Sequence, residues 1–204
     1  NFRPGFAMHI YRRFGVPGGI NVDPSTGYGG RLVGWLASRL GGRYVGVDPS
    51  TKTHAANVAM AAALAPPGAV ELHNAPFEAA DLSGLEDRVS FAFTSPPYFC
   101  KELYADEPTQ SFKRYPSLAQ WEHGFLLPMV MKVEALLEPG RYFCLNIANV
   151  QIGADVVPLE AMAMKAGETA GLELEQTLRF ELSYFGTGGA QRLYEPVYVF
   201  RKPR

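Results

Sequence analysis

The stretch Gly19–Gly30, GINVDPSTGYGG, decides the fold together with the segment after it, Arg31–Leu40, RLVGWLASRL. Gly19–Asp23 reads as a short strand ending in a turn. In the following segment Leu32, Trp35, Leu36 and Leu40 fall at i, i+3, i+4 and i+8, one face of a helix. Gly41-Gly42 stops that helix, and Tyr44–Val47 forms a second strand ending at Asp48. Strand, glycine-rich turn, helix, strand is the opening of an α/β sheet.

The alternation continues. Ala55–Ala65 reads as a helix on alanine propensity, with Pro66-Pro67-Gly68 ending it. Ala69–His73 and Arg88–Thr94 are strands. Ser117 followed by Gln120 forms a capping box for a long helix over Leu118–Leu137, and Pro128 inside it predicts a kink or a break. Arg141–Ile147 reads as a strand and Val156–Ala170 as a helix. Leu172–Leu182 and Pro196–Arg201 close the chain as strands, the last two antiparallel. The pattern predicts an open sheet with helices on both faces, and ligands beyond the carboxyl ends of its strands.

The composition excludes several classes. The chain has 204 residues, 47% of them hydrophobic, and a net charge of -1, which suits one globular domain rather than a disordered chain. It also argues against holding nucleic acid by bulk electrostatics. Cys100 and Cys144 are too few for a disulfide framework, and no C-x-x-C pair supports a zinc site, so no metal is expected. No apolar run approaches the roughly 20 residues that span a bilayer. These features predict a soluble cytoplasmic protein. The first residue is Asn1 rather than Met, so a processed chain or part of a longer one is expected.

Residues after the strands carry the chemistry. Asp23, Pro24, Ser25, Gly27 and Gly29 lie in a loop opening directly onto a helix. Glycines let backbone approach a ligand closely, and the helix N-terminus favours a negative group. Asp48, with Pro49 after it, ends the second strand, where a carboxylate accepts both hydroxyls of a ribose. A dinucleotide fingerprint starting at Gly27 needs glycine at position 32, which is Leu32, and no Walker-type loop is present. Asp-Pro ahead of the glycines suits a ligand with an amino-acid end, with Asp23 near its ammonium or sulfonium. This points to S-adenosylmethionine; a plain glycine turn is the alternative.

Thr94-Ser95-Pro96-Pro97-Tyr98-Phe99 follows the fourth strand. Two prolines remove two backbone donors and lock φ. The Ser95 hydroxyl and the Pro96 carbonyl then accept the protons of a planar amino group, and Tyr98 offers a stacking face. Such an amine is a poor nucleophile because its lone pair is delocalised. Hydrogen bonds to both protons favour a pyramidal nitrogen aimed at the methyl group, and positioning supplies most of the rate.

Over its whole length the chain resembles the S-adenosylmethionine-dependent amino methyltransferases of DNA. Asp23–Gly30 resembles their first cofactor motif, Asp48 the ribose-binding acid, and Ser95–Tyr98 the catalytic tetrapeptide. Asn74-Ala75-Pro76-Phe77-Glu78 is similar to the segment flanking the cofactor adenine, which assigns Asn74 and Phe77 to the cofactor. Asn1–Arg13 is similar to the segment that precedes the first motif and packs on the cofactor. The resemblance implies a Rossmann-like class I methyltransferase fold, a mostly parallel seven-stranded sheet with an antiparallel last strand. It implies transfer to an exocyclic amino group of a flipped-out DNA base. Ser95 in the first position favours cytosine N4 over adenine N6, and a bacterial or phage restriction-modification setting is expected. Cytosine C5 chemistry is excluded, because Cys100 lies beyond the tetrapeptide.

Three alternatives remain open: adenine N6, an RNA or protein-glutamine acceptor, and a non-catalytic cofactor-binding subunit. Lys101–Pro116, with Tyr104, Phe112 and Tyr115 among basic residues, reads as a lid or a solvated loop. Phe185–Gly189 is expected to face the target. No stretch is left for target recognition, so residues 1–204 read as a single catalytic domain, with recognition supplied by another domain or subunit.

Overall fold

The computed structural model describes residues 2–101, 105–181 and 194–204. The strands are β1 (Ile20–Asp23), β2 (Arg43–Val47), β3 (Val70–His73), β4 (Val89–Thr94), β5 (Leu137–Asn146), β6 (Val150–Ile152), β7 (Asp155–Val157), β8 (Glu173–Glu181) and β9 (Tyr194–Arg201). The α-helices are α1 (Pro4–Phe14), α2 (Gly30–Ser38), α3 (Thr51–Leu64), α4 (Ser111–Arg114), α5 (Leu118–Trp121), α6 (Leu127–Leu136) and α7 (Leu159–Thr169).

Seven strands form one sheet in the order β3-β2-β1-β4-β5-β9-β8. The β1–β2, β1–β4, β2–β3 and β4–β5 pairs are parallel, and β9 is antiparallel to both its neighbours. The chain runs outward from β1 to β3, then returns to place β4 on the other side of β1. That reversal opens a crevice beyond the carboxyl ends of β1 and β4, where such sheets bind ligands.

Alternation along the strands divides the core in two. Val45, Ala92, Phe143, Leu145 and Phe200 face the layer that holds α6 and α7. Tyr44, Phe91, Phe93, Cys144 and Val199 face the layer that holds α1 and α2. A period of two with both sets apolar is what a sheet covered on both faces requires.

Helix α1 was not among the expected elements. It starts with Pro4 in its first turn and buries Ala7, Ile10, Tyr11 and Phe14, one continuous face. It lies close on α2 because Gly34 has no side chain; a Cβ there would stand 2.4 Å from that of Ala7. Helix α3 is capped by the Ser50 hydroxyl, which accepts from Thr53 N–H. Its only buried residue is Asn57, so alanine propensity rather than a buried apolar stripe makes it helical.

The long helix is present and broken where proline requires it. Ser117 and Gln120 form the capping box. Glu122–Leu126 is a turn of π-helix in which Leu127 N–H donates to the Glu122 carbonyl. Pro128 has no N–H to give the preceding turn and its ring needs room there, and the wider turn supplies it. The helix expected over Val156–Ala170 is a correction. Asp155–Val157 pairs with Val150–Ile152 as a hairpin, and the helix begins at Leu159 after Pro158. The residue before a proline is pushed towards extended backbone, which keeps Val157 out of the helix.

Candidate functional site

A single cavity spans the crevice, lined from the glycine loop at one end to the tetrapeptide at the other. At the loop end Pro24, Ser25 and Gly27 form one wall. Asp23 does not. It is fully buried beneath the loop, and its carboxylate is occupied from three directions. Arg31 Nε and Nη2 donate to it side-on at 2.9 and 3.1 Å, the Tyr44 hydroxyl at 2.7 Å, and Ser25 N–H at 3.2 Å. Arg31 also donates to the Ser25 carbonyl. The expected place beside a ligand cation is therefore filled by the protein's own guanidinium, and Arg31, which itself lines the cavity, ties Asp23 to the loop. Burial alone would lower the Arg31 pKa, but the charge of Asp23, its hydrogen bonds and the neighbouring Tyr44 and Tyr11 together outweigh it and raise it.

Asp48 does line the cavity. Its Oδ2 accepts Gly27 N–H at 2.8 Å and its Oδ1 accepts Ser50 N–H at 2.9 Å, which ties the end of β2 to the glycine loop. A carboxylate has about four acceptor sites, so further hydroxyls remain within its capacity. Burial pushes its pKa up, against these two backbone hydrogen bonds. Gly27 has φ +56, a left-handed backbone that favours glycine. Gly29, left-handed as well at φ +77, does not line the cavity and also serves packing: a Cβ there would stand 2.5 Å from Asn57 Oδ1 on α3. Asn57 in turn donates to the Gly27 carbonyl at 2.7 Å.

Pro49, Pro76 and buried Phe77 continue the wall. The Lys132 ammonium sits 5.1 Å from the Phe77 ring centre and donates to the carbonyls of Phe77 and Ala80, fixing that turn. Asn74 does not line the cavity. It is exposed and donates to the Asp48 carbonyl at 3.0 Å, so it braces the loop from outside.

Residues 105–115 cross over this half of the site. The Glu107 carboxylate accepts Thr51 N–H at the start of α3, where the helix dipole favours an anion. The Thr109 hydroxyl donates to the Pro49 carbonyl at 3.1 Å, and Arg114 pairs with Glu78. Thr109, Gln110 and Ser111 thus form a wall over the glycine-loop end. Tyr104 and Phe185–Gly189 lie outside the described residues.

At the far end Ser95, Pro97 and Tyr98 line the cavity, while Pro96 is buried behind them. The Tyr98 hydroxyl lies 3.2 Å from Glu195 Oε2 and 3.4 Å from Asn146 Oδ1. Asn146 donates to the Pro196 carbonyl at 3.0 Å. Asn146 and Glu195 were not foreseen. Both enter through the sheet: Asn146 ends β5 opposite Val197 of β9, so Glu195 reaches the ligand edge. Phe125 and Phe180 add apolar surface. Cys100 and buried Cys144 are free thiols, and no His, Cys, Asp or Glu cluster among the described residues suits a metal. No described helix is long and apolar enough to cross a membrane.

No family model and no curated protein matches the sequence. Solved structures do match. TrmN from Thermus thermophilus shares 20% identity at a TM-score of 0.66, over 98% of this chain and 48% of that one. Geranyl diphosphate methyltransferase in complex with SAM shares 13% identity at 0.66, over 98% and 85%. The [4+2]-cyclase SpnF shares 12% identity at 0.66, over 98% and 81%. The fold is thus the Rossmann-like fold of class I methyltransferases. A cyclase among the neighbours shows why chemistry must be argued from the site.

Proposed function

We propose that the chain binds S-adenosylmethionine and transfers its methyl group to a planar exocyclic amino group of a nucleic-acid base. The observation that carries this reading is the single cavity joining Asp48 and the glycine loop to the Ser95–Tyr98 tetrapeptide. The residues fit the cofactor by their chemistry. Asp48 suits the ribose hydroxyls, Pro49, Pro76 and Phe77 suit a flat apolar adenine, and Ser25 and Gly27 suit the amino-acid end. When bound, the cofactor supplies an electrophilic methyl group.

The protein's part is positioning. Ser95 and the acceptor oxygens near Tyr98 hold an amino group, the proline pair keeps competing N–H donors away, and Phe125 and Phe180 exclude water. Within this class Ser95 supports cytosine N4 of DNA over adenine N6, with the base flipped out and sequence recognition supplied by another domain or subunit. Mass spectrometry of nucleosides, after incubating DNA with protein and cofactor, should find N4-methylcytosine. N6-methyladenine alone would move the target to adenine, and activity on RNA or protein glutamine alone would move it off DNA. Failure to bind the cofactor in calorimetry would overturn the enzyme reading.

A pH dependence follows from Asp48. Its ionised form accepts ribose hydroxyls, and burial raises its pKa above the usual carboxylate value. Cofactor affinity should therefore increase as pH rises through that raised value. Fold stability carries the opposite sign, because the folded chain holds this proton more tightly. That contribution is present at acid pH and is lost as pH rises through the raised value. Titration calorimetry across pH checks the first effect, and Asp48→Asn should flatten it.

A further inference from the structure

We propose that Glu195 takes the proton released from the target nitrogen, a role that rests on the amino-transfer reading above. Three carboxylates line the cavity among the described residues: Asp48, Glu78 and Glu195. Asp48 holds the N–H groups of Gly27 and Ser50 at the glycine loop. Glu78 is paired with Arg114 and lies 3.4 Å from the Tyr115 hydroxyl. Glu195 alone stands at the tetrapeptide end, 3.2 Å from the Tyr98 hydroxyl. The tetrapeptide begins with Ser95, so it brings no carboxylate of its own to that end.

The reaction needs such a group. The nitrogen lone pair forms the new N–C bond, and the electrons of the broken C–S bond stay on sulfur, which becomes a neutral thioether. The nitrogen is left with a positive charge and one proton too many. That N–H bond breaks, its electron pair returns to nitrogen, and the proton passes to the Glu195 carboxylate. A hydrogen bond from the Tyr98 hydroxyl to Oε2 leaves Oε1 to receive it. The products are a neutral methylamine and a carboxylic acid, which loses its proton to solvent on product release.

Kinetics of Glu195→Gln and Glu195→Ala test this. The Gln variant keeps shape and still accepts from Tyr98. It should bind cofactor with wild-type Kd and keep KM for the target within a few-fold, while kcat falls on the order of 100-fold. Added formate, a carboxylate of the missing group's size, should restore part of the rate of the Ala variant; chloride at equal ionic strength should not. A Gln variant with near-wild-type kcat would overturn the proposal. So would a variant that loses cofactor binding and turnover together, which marks a structural role. If the Ala variant fails to fold, the Gln variant decides alone. A wild-type protein that methylates no amino acceptor refutes the underlying reading, a result separate from either variant.

Discussion

Replacing Arg31 with methionine is expected to lower the unfolding free energy by about 3–5 kcal/mol. The side chains of Arg31 and Asp23 are only 5% and 0% exposed. Without the guanidinium, Asp23 keeps the Tyr44 hydroxyl and Ser25 N–H but loses its countercharge. An uncompensated carboxylate in a dry interior must either stay charged at high cost or take up a proton. The guanidinium also lies 5.7 Å from the Phe2 ring centre and 5.9 Å from that of Phe93, contacts that methionine keeps only as packing. Pairing Arg31→Met with Asp23→Asn should recover much of the loss, since Asn still accepts from Tyr44 and no lone charge remains. Chemical denaturation of the single and double variants measures both. A single-variant loss below about 1 kcal/mol would mean that water reaches the pair, contrary to its burial.

Asp48→Ala should weaken S-adenosylmethionine binding on the order of 100-fold or more. Two hydrogen bonds from ribose hydroxyls to a charged acceptor contribute about 1.5–3 kcal/mol each. The same substitution frees Gly27 N–H and Ser50 N–H, so the glycine loop loses its tie to β2. Asp48→Asn, which keeps one oxygen acceptor, should fall between. Calorimetric affinity within tenfold of wild type for the Ala variant would remove Asp48 from the cofactor site. Circular dichroism of the variant separates a lost ligand contact from a lost fold.

Local patterns carried most of the architecture. The strand ends at Asp23, Val47 and Thr94 were legible because a turn signal follows each hydrophobic run. The capping box at Ser117 and the disruption near Pro128 were legible because each depends on neighbours along the chain. Helix α1 carried a readable face, Ala7, Ile10, Tyr11 and Phe14, with a proline start, though Arg12 and Arg13 interrupt its apolar run. The hairpin before α7 was hidden because Val156 and Val157 suit a strand or a helix, and only Pro158 told them apart. Partnerships across the fold were not legible. That Asp23 is consumed by Arg31 and Tyr44 depends on side-chain direction, and that Glu195 meets Tyr98 depends on a pairing between distant strands.

The reversed last strand has a consequence for how the molecule is made. β9 lies between β5 and β8, and it brings Glu195 to a tyrosine 97 positions earlier in the chain. Contacts so far apart close large loops and form slowly. A nascent chain ending before Tyr194 has the glycine loop, Asp48 and the tetrapeptide, but β5 has a bare edge and β8 has no neighbour in the sheet. The glycine-loop end of the crevice is therefore encoded well before β9 completes the tetrapeptide end. The edge of β5 is covered, and β8 joined to the sheet, in one step when Tyr194–Arg201 pairs between them, not gradually as the chain lengthens.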